Sequence, residues 1–455
     1  MVKATTIAII GGGFSGTMVA VQLLRLANCP LKIKLIEKRV KIGQGVAYST
    51  PILSHLLNVP VSKMSAFPEI PEHFLNWIQD RYPKKSFTGS TFAPRRYYGE
   101  YLQSVLQEAQ NYARKDVYLE YIQDEAHALQ AAHEQMIVTC RSGATIKADR
   151  VILALGNLPP SHPPIDDPSF YQSRRYSSWA WSTPLENMIE PDHNILLIGS
   201  GLTAIDLVID LYYKGHQGKI YLVSRRGLLP QPHKPIQVYA PLIELDQNLN
   251  HLFKQIRSEV KKAQDLGYDW RSVIDFLRPH TQLIWKSLSI TEKRRFLRHL
   301  RSYWDIHRHR ISPDIAQIIT KLRDSQQLII LRGEIQSYQE EIDKVTVTIR
   351  PRYTEQTQDI QVHHVVNCTG SERLTSQWQN PLLKNIITSE LAKPDALQLG
   401  LDVAENGALV NNIGDNSSIL YTLGPLQKGC LWETTAVPEI RQQAEKLAKE
   451  LLNSL

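Results

Sequence analysis

Two glycine-rich turns are the residues best placed to do chemistry. The first is Gly11-Gly12-Gly13-Phe14-Ser15-Gly16, a G-x-G-x-x-G. It follows the β-rich run Thr5–Ile10 and opens a stretch of helical length and composition, Gly16–Leu26. The alternating run Leu31–Glu37 then reads as a second strand, and it closes on an acid. In such a βαβ unit Gly11 permits the tight turn, Gly13 lets backbone approach a pyrophosphate, and Gly16 lets helix and strand pack closely. The helix start offers unpaired N–H groups and partial positive charge to the diphosphate. Glu37 stands where a carboxylate accepts hydrogen bonds from ribose hydroxyls. A G-x-G-x-x-G alone is weak, but strand, helix and terminal acid together distinguish it from a ligand-free glycine turn.

The second turn is Gly199-Ser200-Gly201-Leu202-Thr203-Ala204, after the strand run His193–Ile198 and before a helix reaching about Leu211; Lys219–Val223 is the next strand. Gly13 and Glu37 lie 24 residues apart, as do Gly201 and Arg225. The position that carries an acid in the first unit thus carries arginine in the second, within Ser224-Arg225-Arg226. An acid there repels a ribose 2′-phosphate, whereas a hydroxyl and guanidinium groups bind it. The second unit is therefore expected to take NADPH in preference to NADH. A solvated basic turn is the competing reading, because arginine is common on surfaces.

Around these units the chain divides as follows. Residues 1–165 are expected to form the first part of one nucleotide-binding domain. Residues 190–355 form a second, with a basic helical insertion at about 243–323, and residues 360–455 return to the first. Alternating runs between Glu120 and Lys147 suggest antiparallel strands, and Val151–Asn157 and Val365–Gly370, two apolar strands ending in Gly156 and Gly370, read as interdomain hinges. The fold class is α/β, with two Rossmann-like domains. The chain ends in a helix at roughly Pro438–Leu452.

Composition removes several functions. No run of about 18 apolar residues is present, which argues against a membrane span. The N-terminus enters a strand without a cleavage region, as in a cytoplasmic chain. The net charge is +7, but its basic residues are dispersed, so no nucleic-acid partner is expected. Cys29, Cys140, Cys368 and Cys430 form no CxxC, which excludes that kind of disulfide-reductase centre, and their spacing gives no zinc signature.

The whole pattern resembles a known family. It is carried by GGGFSG with Glu37, Gly43–Tyr48, Leu57–Pro60 with Met64, Pro94-Arg95, Tyr98–Leu102, Gly199–Asp206 and Ser224–Pro230. Further strings are Trp304–Pro313, Asn367–Gly370 and Gly424–Ala444. These are similar to the FAD/NAD(P)-binding proteins of the two-dinucleotide-binding-domain flavoproteins, in the branch whose best-known relatives are flavin monooxygenases. The resemblance implies a glutathione-reductase-like FAD domain with an inserted NAD(P)-binding domain. It implies FAD in the first unit, contacted by Gly11, Gly13, Phe14, Ser15, Gly16, Glu37 and Lys38, with Gly45, Tyr48, Asn58, Met64 and Arg95 along the pyrophosphate and flavin. Gly156, Gly370, Gly424, Trp432, Thr434 and Thr435 complete that set near the domain junction. Gly199, Gly201, Leu202, Thr203, Ser224, Arg225 and Arg226 would hold NADPH. In many relatives the last strand ends in Gly-Asp, the Asp gripping the ribityl chain; here Ile419–Leu423 runs into Gly424-Pro425. The C-terminal helix start would face the isoalloxazine, with Thr434 or Thr435 capping it.

The implied activity is an FAD-dependent, NADPH-using oxidoreductase, a single-component monooxygenase acting on a small molecule. The alternatives are an NAD(P)H:acceptor oxidoreductase without oxygen insertion and a non-enzymatic flavin-binding sensor or scaffold. No residue identifies itself as a catalytic base, and no metal site is expected. On a helix, His307 and His309 of the segment Trp304–Arg310 point about 200° apart and cannot share one ion. That segment reads either as a basic wall over the nicotinamide or an acidic substrate, or as a helix packed by Trp304, with a solvated basic face and an Arg301–Asp305 pair.

Overall fold

Strands made almost wholly of Ile, Leu and Val need cover on both faces, and the two large sheets of this chain have it. The computed structural model describes residues 4–181, 189–245, 248–371 and 380–455. The first sheet runs, in spatial order, Ala408–Val410, Asn416–Thr422, Arg150–Leu153, Thr5–Ile10, Leu31–Ile36, Val117–Ile122. All of its pairings are parallel except the edge pair at Ala408–Val410. Helix Phe14–Leu26 lies between this sheet, helix Arg95–Tyr112 and helix Val437–Asn453. Eleven of its thirteen residues are consequently buried, polar ones included, so it tolerates little change in side-chain volume.

The second sheet runs Gln358–Val362, Val345–Pro351, Leu328–Glu340, Ile220–Ser224, Ile195–Ile198, His364–Asn367, Tyr176–Ser177. Its middle is parallel. Leu328–Glu340 pairs parallel with Ile220–Ser224 through Arg332, then antiparallel with Val345–Pro351 from Gly333 onward. Gly333 is needed at that change because a Cβ there would meet the Arg350 carbonyl oxygen at 2.5 Å. A small antiparallel sheet, Ala126–Ala132, Gln135–Cys140 and Thr145–Ala148, flanks the first.

Three sequence expectations change. The strand at His364–Asn367, expected with the C-terminal part from residue 360, pairs with Ile195–Ile198 and so belongs to the second sheet. Apolar parallel strands of this kind look alike in either sheet. Val117–Ile122, at the start of the run expected to be antiparallel, joins the first sheet in parallel register with Leu31–Ile36. Finally, helix Pro313–Asp324, counted with the insertion, packs on helix Leu202–Tyr213 and on the strand that follows it. The insertion proper is the run of helices from Leu249 to Arg308. Its turns are set by side-chain caps at Asn248, Asp269 and Ser289, the last a full capping box with Glu292.

Among the described residues no helix is long and apolar enough to cross a membrane. The cysteines are free thiols, Cys140 and Cys368 buried.

Candidate cofactor and active site

The two glycine turns have the same geometry. Gly11 has φ +105° and Gly199 φ +111°, and each leads from a central strand into a helix. A Cβ on Gly11 would lie 2.4 Å from the Ala154 carbonyl oxygen, and one on Gly199 2.9 Å from that of Cys368. Ala154 and Cys368 follow the strands Arg150–Leu153 and His364–Asn367, which neighbour the first strand of each unit. The two runs expected to be hinges are therefore equivalent members of the two sheets. Each stands where strand order reverses, the place open sheets of this kind keep for ligands.

In the first unit Glu37 reaches back to the turn. Its Oε2 accepts from Gly12 N at 2.7 Å and its Oε1 from Arg39 N at 3.0 Å, which leaves lone pairs on both oxygens. The loop Gly43–Tyr48 lies over the turn so closely that a Cβ on Gly13 would come within 3.4 Å of the Gly45 Cα. Arg39 holds that loop through the Gly45 carbonyl and Ser49. Phe14, Tyr48 and Tyr98 form one aromatic group, with Tyr48 and Tyr98 centroids 4.7 Å apart.

The C-terminal segment closes against the same helix start. A Cβ on Gly424, where φ is +75°, would meet Ser15 Oγ at 2.9 Å, and Gly424 N donates to Gln443 Oε1. Four buried side-chain atoms in this neighbourhood have no hydrogen-bond partner among the described residues: Tyr98 OH, Thr434 Oγ1, Arg441 Nε and Gln443 Nε2. A buried polar atom left unpaired costs about 1–3 kcal/mol. Four close to one helix N-terminus mark a place built for a polar, multidentate ligand. A dinucleotide with a hydroxylated chain fits both that donor set and the glycine cradle. Helix Val437–Asn453 begins at an Ala436 cap with Pro438 in its first turn, and no threonine caps it. Thr434 is wholly buried and Thr435 is exposed.

The second turn ends in a different set of partners. Gly201, the cap of helix Leu202–Tyr213, has open space where a Cβ would stand, so Leu202 and Thr203 start a helix facing a clear approach. Ser224 Oγ accepts from Ser200 Oγ at 2.8 Å and from Gly227 N at 3.0 Å, which fixes the turn that carries Arg225. Arg225 is exposed. Arg226 is committed elsewhere: its Nη2 donates to the His299 and Arg298 carbonyls and its Nη1 to Tyr303 OH.

The helical insertion covers the C-terminal segment. Trp285 stacks on Trp432 at 4.9 Å and donates to the Gly429 carbonyl, while Gln282 donates to the Glu433 carbonyl. Trp432 is buried with φ +63°, a conformation uncommon for a bulky residue and held here by its neighbours. Trp304 Nε1 donates to Glu433 Oε1 at 2.9 Å, and Arg308 reaches Glu433 and Glu439 at 3.7 and 3.4 Å. Burial works to raise the Glu433 carboxyl, but His309, Arg308 and the Trp304 indole hold it below the usual carboxylate range. Burial, reinforced by Arg301, brings the Lys428 ammonium down to about 8. The basic face of Trp304–Arg310 is thus not solvated: Arg308 and Arg310 are buried, Arg310 against Asp275. The Arg301–Asp305 pair does form, at 3.4 Å. His307 turns to Trp270 and His309 to Glu433. Among the described residues no group of three His, Cys, Asp or Glu could hold a metal.

Several of the residues expected at the cofactor have protein surroundings of their own. Arg95, assigned to the flavin side, forms a two-pronged pair with Asp206 at 2.7 and 3.2 Å and so joins the two nucleotide units. Lys38 points outward to Glu125. Met64 is core. The Asn58 carbonyl is engaged by His233 Nε2 at 3.0 Å. Gly156, with φ +69°, borders open space, and Gly370 lies 3.7 Å from Arg301 Nη2 at the Cβ position. Arg441 and Gln443 were within a string that the sequence singled out, but nothing in their spacing gave them a role.

Known proteins agree with this geometry. Residues 8–158 match the FAD-NAD(P)-binding family. No curated protein matches the chain in sequence. Solved structures match it over nearly its whole length. The cadaverine monooxygenase of Erwinia amylovora, bound to FAD, is 13% identical with a TM-score of 0.66, covering 100% of this chain and 95% of its own. The ornithine N-hydroxylase of Kutzneria sp. 744, with reduced FAD, NADP+ and L-ornithine, is 13% identical at 0.64, covering 99% and 100%. The bacillithiol disulfide reductase of Bacillus cereus is 13% identical at 0.58, covering 100% of both. The chain therefore has the fold of the flavoproteins with two dinucleotide-binding domains, a fold shared by oxygen-inserting and electron-transferring enzymes.

Proposed function

We propose that this protein is an FAD-dependent, NADPH-using oxidoreductase, and specifically a single-component monooxygenase acting on a small molecule. The observation that carries the two-cofactor part is the contrast at one repeated position: Glu37 after the first glycine turn, Ser224-Arg225 after the second. In the first unit the backbone of Gly11–Gly16 would hold the FAD pyrophosphate and Glu37 the ribose. Thr434, Gln443 and Tyr98 would offer their unpaired atoms further along. In the second, Gly199–Thr203 would hold the NADPH pyrophosphate and Arg225 the 2′-phosphate. When bound, the two nucleotides would supply the redox and oxygen chemistry, which no side chain of this protein can supply.

The chain's own contribution is placement and exclusion of water. Arg95–Asp206 fixes one nucleotide unit against the other. The insertion covers Trp432 with Trp285, Phe296 and Trp304, which favours chemistry that water would short-circuit. That cover, with the likeness to structures named for amine hydroxylation, supports oxygen insertion over plain electron transfer. It also supports a small amine as substrate. The four free, scattered cysteines give no support to a disulfide-reducing centre.

The test is substrate-dependent NADPH oxidation with ornithine, lysine and cadaverine under isotopically labelled O2. One labelled oxygen atom in an amine product supports the monooxygenase. NADPH consumption with quinone acceptors, and no label in any product, supports the acceptor oxidoreductase instead.

A further inference from the structure

Beyond Arg225, the second unit holds a larger basic site than its glycine turn requires. A cavity of about 640 Å³ opens beside Arg225, within the range of nucleotide-sized sites. Three separate parts of the chain wall it. Ile220–Ser224 and its following turn give Arg225. The insertion gives Arg298, and the region after the bend at Gly333 gives Arg350, Arg352 and Tyr353. Counting Arg226, five guanidinium groups line it against two carboxylates, Glu334 and Glu355. That surplus is the signature of a site for a multiply charged anion.

These arginines are not equivalent. Arg226 is occupied by the carbonyls of Arg298 and His299, which lie in a π-helical turn, Phe296–Leu300; its work is to pin the insertion to the nucleotide unit. Arg225 and Arg298 are both exposed, and no ion pair to either is found among the described residues. Arg350 is paired with Glu334 at 3.3 Å, but both are substantially exposed, so that pair is weak and can be exchanged. Arg352 lies over the Tyr353 ring at 4.7 Å, its guanidinium plane held at the cavity wall.

We infer that Arg350 and Arg352, with Arg298 from the insertion, complete a phosphomonoester site around Arg225, and that its ligand is the phosphorylated ribose of NADPH. The inference rests on the NADPH reading above and deepens it. The 2′-phosphate is gripped from the far side by the antiparallel part of the sheet, and Arg226, although adjacent in sequence, does not take part. Because Arg298 is carried by the insertion, nucleotide binding also ties that cover to the second unit.

Calorimetric titration with adenosine 2′,5′-bisphosphate and with 5′-AMP tests this on the FAD-loaded protein, without turnover. Arg350→Ala/Arg352→Ala is expected to bind the bisphosphate about tenfold or more weakly and 5′-AMP unchanged, which also shows that the fold is intact. Arg226→Lys is expected to keep the wild-type preference for the bisphosphate. If the double variant binds the bisphosphate as tightly as wild type while Arg225→Ala does not, the extended site is wrong and the NADPH reading stands. If wild type itself binds the two nucleotides equally, both fail.

Discussion

Gly16→Val should yield a protein that accumulates poorly and carries no flavin, whereas Gly13→Ala should fold and still lose most of its flavin affinity. The two glycines are three residues apart and their neighbours differ completely. A Cβ on Gly16 would lie 1.9 Å from the Gly11 carbonyl oxygen and 3.1 Å from Ile9, all within the packed seam of helix and sheet. Nothing there can yield except backbone, so the helix must leave the strand. A Cβ on Gly13 meets only the Gly45 backbone, at 3.4 Å, which is ordinary contact, and its φ of −75° suits alanine. The methyl group would instead occupy the approach a pyrophosphate needs. A loss of about 2 kcal/mol, roughly thirtyfold in Kd, is the expected scale for Gly13→Ala. Flavin content of the purified variants, alongside their thermal unfolding, separates the outcomes. A Gly13→Ala protein that keeps full FAD would place the cofactor elsewhere.

Asp206→Ala should destabilise the protein by about 3–5 kcal/mol, because it strips the mostly buried Arg95 guanidinium of its carboxylate and leaves it only the Leu56 carbonyl. Arg95 and Asp206 are 15% and 6% exposed, and their two contacts join helix Arg95–Tyr112 to helix Leu202–Tyr213. His55 lies beside the pair, and burial lowers its imidazole below the usual histidine range. The companion Asp206→Ala/Arg95→Met should recover a large part of the loss, since it removes the stranded charge and keeps much of the volume. Chemical denaturation of the three proteins measures this. Equal stability of Asp206→Ala and wild type would mean that the pair does not join the units.

The glycine turns could be read from sequence because their chemistry is local. Each needs residues of fixed type within a few positions, and the 24-residue offset to Glu37 or Arg225 is set by one helix and one strand. What sequence could not supply was any partner chosen by the fold. Arg95 reads as a cofactor ligand until Asp206, 111 residues on, is seen beside it. Arg226 reads as a phosphate ligand until the insertion brings up its carbonyls. Arg350 and Arg352 are ordinary strand-end arginines by pattern, and only the turn of the sheet at Gly333 brings them to Arg225. The strand His364–Asn367 fell on the wrong side of a domain boundary for a related reason: a short run of buried apolar residues carries no mark of which sheet it will join. The basic segment Trp304–Arg310 misled because burial of its arginines depends on Glu433, Glu439 and Asp275, all distant in sequence.

A chain that holds FAD in its first unit and NADPH in its second should move hydride from one nucleotide to the other. Anaerobic mixing of the FAD-loaded protein with NADPH and, separately, with NADH tests it most directly. The flavin's visible absorbance should be lost rapidly with NADPH and much more slowly with NADH at equal concentration. A flavin that stays oxidised with both nucleotides would contradict it, and would leave the second glycine turn without the role assigned to it.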